Sequence, residues 1–397
     1  VRGAVAVLGV AALTLLAGCQ GSSDGGGSGS TPKAESAPPA TLQLTPADGT
    51  ADVSPATAVQ VAVAGGDLGK VTVTDGAGAA VPGEVAAAPD APGSSLWTPT
   101  KPLAYGTEYT LTATAENKAD DEAKATATFT TVTPATLSTP SVGPLNDTTV
   151  GVGMPLRVFF DQAVDDEHKP AVERQLKVTT SQPTDGVWSW LSDKEVHFRP
   201  STYWPADTDV TLDAALYGID LGNGVWGEKD RKVTFHVGAE HVSVADAAAH
   251  TLTVKDGGNV VQTFPMSAGS NANPTRNGAH VVLQTYDDIT MDSSTFGLAV
   301  DAPGGYRSDV KWATRISNNG EFVHGAPWSA GQQGHANVSH GCINLTDDRA
   351  EWFLHFSQPG DVVEVVNSIG PTLSAVDGDI YDWAVPWDQW TAGSALS

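Results

Sequence analysis

From Thr41 to Val237 the chain is written in short alternating runs. "AVQVAVAG", "KVTVTDGAG", "EYTLTATAEN" and "KATATFTTV" come first; "PLRVFFDQAV", "RQLKVTTSQ", "GVWSWLSDKEVHFRP", "TDVTLDAAL" and "RKVTFHVG" follow. A period of two places successive side chains on opposite faces of an extended strand, and the Gly, Pro and Asp between runs supply turns. Short strands with frequent turns build antiparallel sandwiches. The pattern occurs twice: "WTPTKPLAYGTEYTL" from Trp97 and "FRPSTYWPADTDVTL" from Phe198 each carry an aromatic, a Pro two residues later and a closing Thr-Leu. Their offset is about one sandwich in length. Two tandem immunoglobulin-like units are therefore expected, at 41–135 and 136–239, with Trp188, Trp190 and Trp204 as core. Such units commonly space or orient a catalytic head.

A third unit, 240–368, keeps the β texture in "HTLTVKDGGNVVQTFPMSAG" and "KWATRISNNGEFVH" but contains one helix candidate. Thr346 would be its N-cap, Asp347 and Asp348 would suit its first turn, and Trp352, Phe353 and Phe356 would share one face. Pro359-Gly360 would stop it. The last segment, 369–397, is Trp-rich; the spacing of Trp383, Trp387 and Trp390 predicts a cap folded onto this head. The fold class expected is thus mainly β: two sandwiches, a β-rich head with few helices, and a C-terminal cap.

Cysteine is scarce, with two in 397 residues. Residues 1–18 read as an export signal, with one Arg and an apolar run too short for a comfortable membrane span. Leu16-Ala17-Gly18-Cys19 resembles the lipobox of bacterial lipoproteins, which implies a diacylated Cys19 as mature N-terminus and a cell-membrane lipid anchor outside the cytoplasm. Residues 19–40, rich in Gly, Ser and Pro, cannot bury apolar surface and should form a flexible tether. The formal charge of −25 and pI near 4.5 exclude the basic stripe that nucleic-acid binding requires.

Cys342 would then be the leftover thiol of an exported chain, a position that marks a reactive or intermolecular cysteine. It lies in "HANVSHGCIN". Buried filler fits poorly with so polar a stretch. A zinc site from His324, His335, His340 and Cys342 has the ligand types but no usual spacing. A nucleophile needs a base and N–H donors for the oxyanion it creates. Gly341 would let a carbonyl approach, the amides of His340, Gly341 and Cys342 could converge on one point, and either His324 or His340 could be the base.

The stretch "HGAPWSAGQQGHANVSHGCIN", His324 to Asn344, resembles the signature of L,D-transpeptidases of the YkuD type, and the order of units, "MDSSTFGLAVDAPGGYRSDVKWA" and "YDWAVPWDQW" resemble their actinobacterial lipoprotein members. The resemblance implies Cys342 as acylated nucleophile and His324 as proton acceptor and donor. It implies Tyr306 and Asn344 as substrate contacts, Asn319 and Gly320 as a substrate-contacting stretch, and Met291 as a lining residue. Ser339 and His340 match motif positions of mainly structural role. Relatives often carry Ser after the histidine, whose main-chain carbonyl orients the ring; here it is Gly325, which retains a carbonyl.

The implied chemistry is ping-pong acyl transfer between peptidoglycan stem peptides. The thiolate attacks the third-residue carbonyl of a tetrapeptide, D-Ala leaves, and an acceptor amine resolves the thioester into a 3→3 cross-link, with neither metal nor cofactor. Carbapenem β-lactams would act as inhibitors. Water as acceptor would make the protein an L,D-carboxypeptidase; a non-catalytic wall-binding lipoprotein is the third reading.

Overall fold

The computed structural model describes residues 38–297, 299–302, 305–378 and 380–397. The expected leader, Cys19 and nearly all of the tether lie outside the described residues. The period-two pattern is realised as two successive pairs of sheets. In the first, strands Thr41–Thr45, Val59–Ala64, Ser94–Pro99 and Gly83–Ala87 face a five-stranded sheet that includes Glu108–Glu116 and Glu122–Thr131. Val59, Val61, Val73, Trp97, Leu111 and Phe129 fill the space between. In the second, Ser141–Gly143, Leu156–Phe159, Glu195–Pro200 and Gly186–Trp190 form one sheet and Thr149–Val150, Arg231–Val237, Thr208–Ala214 and Leu176–Thr180 the other. The matched segments fall on equivalent strands: Trp97 and Phe198 are both buried, each on the strand before a crossing to the opposite sheet. Trp188 and Trp204 are core, and Trp190 is half-buried against it.

The head contains two further sheets. One runs Asn259–Pro265, Thr251–Asp256, His241–Asp246, Val362–Val366, Gly278–Val281; the other runs Gln284–Asp292, Arg307–Arg315, Phe322–Gly325, Ile343–Leu345. Leu252, Val254, Met266, Val323, Ile343, Leu345 and Val363 pack together with Phe353 from the helix Asp347–Phe356. Thr346 stands at the N-cap of that helix, but its hydroxyl accepts no backbone N–H.

Head and second sandwich are joined by a shared core, because Ala279, Val281 and Val362 of the head cluster with Leu156 and Trp204. Gly151 donates to the Pro359 carbonyl at 2.9 Å and Gly153 to that of Gly360 at 2.8 Å. A Cβ on Gly151 would sit 2.2 Å from the Asp361 nitrogen, so this approach of two backbones requires glycine.

The C-terminal tail differs from expectation. Its aromatics pack mainly on the second sandwich: the Trp390 indole donates to the Val187 carbonyl at 2.9 Å, and Trp190 donates its amide to Gly393 at 2.9 Å. Arg199 draws them there, its guanidinium lying 4.9, 5.2 and 4.6 Å from the rings of Trp383, Trp387 and Trp390. Aromatic spacing announced a buried face; a cation on a distant strand decided which surface buries it.

Candidate active site

Strands Phe322–Gly325 and Ile343–Leu345 pair in parallel, with Val323 opposite Ile343 and His324 opposite Asn344. Parallel neighbours cannot be joined by a tight turn, so a long loop must cross between them. That loop carries Trp328 and Ser339 to Cys342. The register extended by one residue sets Cys342 level with Phe322, which places Cys342, His324 and Asn344 on one face of the sheet. They open into a cavity of about 360 Å³, lined also by Met291, Tyr306, Ser308, Val310, Trp328, Val338, Ser339 and His340.

Cys342 is 5% exposed, and its Sγ donates to the Gly320 carbonyl at 3.6 Å. Burial pushes the thiol up to about 12; the Phe322 amide pulls it down and the Glu321 carboxylate adds to the rise. His324 is 4% exposed, and its Nδ1 donates to the Gly325 carbonyl at 2.8 Å. The carbonyl that remains at the glycine position therefore orients the ring. Burial pushes this imidazole down to about 4, against the Gly325 hydrogen bond and the Asp347 carboxylate. With Nδ1 carrying the proton, Nε2 is the lone pair. Burial thus favours the neutral thiol and the neutral imidazole over the ion pair in the free site.

Ser339 and Gly341 build the turn. The Ser339 hydroxyl donates to the Cys342 carbonyl at 2.5 Å and accepts the Gly341 amide at 3.1 Å. The Gly341 carbonyl accepts from Thr275 at 2.7 Å. Gly341 has φ 123°, which side chains disfavour. In this structure the Gly341 amide is engaged by the Ser339 hydroxyl, which closes the turn.

The other expected residues divide between two cavities. Met291, Tyr306 and Asn344 line the one around Cys342. Tyr306 stands 5.1 Å from the His340 ring, and burial followed by the Cys342 charge raises its phenol to about 12. Asn344 donates to Ser329 at 3.1 Å, and its Oδ1 is buried without a partner. Asn319 and Gly320 line a neighbouring cavity of about 770 Å³ with Arg276, Glu321 and Asp377; Tyr306 and His340 border both. The Asn319 side chain accepts from Ser317 at 2.6 Å and from the Glu321 amide at 3.2 Å, so it shapes this stretch. His335 is exposed and lines neither cavity.

Sequence reasoning missed Trp328, which is 61% exposed with its ring 6.1 Å from His324, and Ser308, Val310 and Val338. An aromatic four residues after the histidine was the available signal. The two strand residues carry no signal beyond their alternation.

Comparison with known proteins supplies independent matches. Residues 50–220 match a bacterial Ig domain, one unit spanning most of both sandwiches, and residues 240–365 match an L,D-transpeptidase catalytic domain of YkuD type. L,D-transpeptidase 2 of Mycobacterium tuberculosis (strain CDC 1551 / Oshkosh) is 42% identical over 348 residues, 88% of this chain and 83% of that protein. L,D-transpeptidase 5 of Mycobacterium tuberculosis (strain ATCC 25618 / H37Rv) is 40% identical over 375 residues, 92% of this chain and 80% of its own. A solved L,D-transpeptidase, LdtMt1 in complex with imipenem, is 36% identical, covers 59% of this chain and 100% of its own, and superposes with a TM-score of 0.51.

Proposed function

Because this chain belongs to the L,D-transpeptidase family, an acyltransferase family of peptidoglycan cross-linking, we propose that it forms 3→3 cross-links through a thioester on Cys342. The observation that carries the reading is the placement of one thiol and one imidazole on the same face of paired parallel strands, with His324 Nδ1 fixed on Gly325 and Nε2 left as acceptor.

In the first half-reaction the Cys342 proton passes to His324 as sulfur attacks the third-residue carbonyl of a tetrapeptide stem. The oxyanion takes the amides of His340 and Cys342. The C–N bond to D-Ala then breaks, and His324 returns the proton to the departing amine. In the second, an acceptor amine attacks the thioester and gives up a proton to His324; the C–S bond breaks and the proton goes back to sulfur. Tyr306, Met291 and Asn344 hold the donor, while Asn319 and Gly320 shape the adjoining approach. Cys19 carries the lipid that holds the protein at the cell membrane, extracytoplasmic and facing the wall.

The test is intact-mass measurement with imipenem, the ligand of the solved relative, followed by defined tetrapeptides. A β-lactam opened by Cys342 should add its whole mass to the wild type and none to Cys342→Ala. Tetrapeptides should yield dimers with loss of D-Ala. Trimmed tripeptides alone would replace the transpeptidase reading by that of a carboxypeptidase, and an adduct on Cys342→Ala would end it.

A further inference from the structure

Behind the nucleophile lies a carboxyl that the acyl-transfer steps do not use. Glu321 immediately precedes the strand of His324 and is 5% exposed. Its Oε1 accepts the Arg276 amide at 2.9 Å. Its Oε2 has no hydrogen-bond partner and faces Nδ1 of His280 at 3.6 Å, an atom that is likewise unpartnered.

His280 is fully buried, and its Nε2 donates to the Arg276 carbonyl at 3.1 Å. Burial holds the ring below its ordinary value and hence neutral. A neutral ring protonated on Nε2 presents a lone pair at Nδ1. An ionised Glu321 would set a carboxylate oxygen against that lone pair; a protonated one offers it an O–H.

The groups facing Glu321 pull in opposite directions: the Arg276 amide and guanidinium and the Asn319 side chain favour the ionised form, while burial, the larger effect, and the Asp377 carboxylate favour the neutral one. Arg276 is the nearby cation, and its Nε is paired with Asp377 at 2.7 Å. That pairing weakens, without cancelling, the pull of the cation on a second carboxylate. On its other side Glu321 lies under the turn of the nucleophile: a Cβ built on Gly341 would meet its Cγ and Oε1, both at 3.6 Å.

We propose that Glu321 is a positioning residue that works as a neutral acid. Protonated, it braces the Gly341–Cys342 turn against His280 without adding charge; on losing its proton it opposes formation of the Cys342 thiolate. This rests on the reading of Cys342 as nucleophile. Burial, only partly offset by the Arg276 amide and guanidinium, raises the carboxyl to about 7, so the change falls near neutral pH. It couples two titrations.

The experiment is the pH dependence of iodoacetamide alkylation of Cys342 in the whole protein. In the wild type the logarithm of the rate should climb with pH, pass through a shoulder near pH 7, and resume on a line displaced downward by roughly threefold to tenfold. Glu321→Gln should remove the shoulder, matching the wild type on the acid side and exceeding it by that factor on the alkaline side. A wild-type profile with no shoulder overturns the proposal even if the variant does not fold. A folded Glu321→Gln that follows the wild-type profile, or is slow at every pH, also overturns it. Failure of imipenem to acylate the wild type would strike the nucleophile assignment instead, since alkylation reads the thiol whatever its function.

Discussion

The catalytic cavity and the junction of tail and second sandwich each bury a histidine, and the two end in opposite charge states. His324 has one hydrogen-bond acceptor, the Gly325 carbonyl, and burial drives it down to about 4. His197 is buried as deeply, with no exposed side-chain surface, but stands between Asp382 at 2.8 Å and Glu195 at 2.7 Å. Burial also pushes its value down, yet the two carboxylates outweigh it and the net shift is upward. Desolvation alone disfavours charge, and a paired carboxylate reverses the result. The neutral ring can accept a proton from a thiol. The charged one ties the short helical turn Asp382–Ala384 of the tail to a sheet strand and is unsuited to that task.

The largest expected effect probes the neutral partner. His324→Ala should slow acylation of Cys342 by imipenem by about 10²–10⁴-fold, the contribution of a general base. An adduct forming as fast as in the wild type would remove His324 from the mechanism and, with it, the meaning of its neutrality.

Next comes the charged partner. His197→Asn leaves the buried Asp382 carboxylate and the partly exposed Glu195 without their cation and should cost about 3 kcal/mol in denaturant unfolding. Its pH dependence carries the sign of the comparison. Below the unfolded imidazole value of about 6.5, His197 is protonated in both states and its contribution is complete; it fades as pH rises through the elevated folded value. His324 does the reverse. Between about 6.5 and its folded value of about 4 the unfolded chain binds a proton that the folded chain refuses, so acidification removes stability there. The His197→Asn deficit should therefore be largest below about pH 6.5 and shrink as pH rises through the elevated folded value; a deficit that grew with pH would reverse the assigned charge.

The smallest effect sharpens the contrast. Arg199 faces three Trp rings and donates to the Val385 carbonyl at 2.7 Å. Arg199→Lys keeps a cation but loses the planar donor, with an expected loss of about 1 kcal/mol. Burial pushes Arg199 down only to about 10, so up to neutral pH both side chains are charged and this loss should be flat; at higher pH the same burial disfavours the lysine ammonium and the loss should grow, where that of His197→Asn shrinks. A matching slope would mean that the tail titrates as a unit rather than through His197.

The alternating runs and their repeated Trp97 and Phe198 segments made the paired sheets legible, because a strand with one face inward must alternate. The lone thiol beside Gly341, with His324 upstream, made the chemistry legible, because few arrangements activate a sulfur. Both are local or nearly local in sequence. That a hydroxyl two residues away engages the Gly341 amide is a competition visible only once the turn is closed. The tail lies on the head through Thr372, Leu373 and Asp377, but its Trp rings went to another partner than expected because Arg199 and His197 lie far from them along the chain, and periodicity tells which face is apolar without telling against what. Glu321 and His280 are unremarkable in sequence, one acidic residue before a strand and one histidine within another. Sequence by itself determined strand periodicity, the order of units and which side chains are proposed to react, all of which depend on residue type and short spacing. Tertiary structure alone decided which amide is free, which histidine carries charge and which carboxyl stands behind the thiol, because desolvation and pairing depend on neighbours brought together from distant parts of the chain.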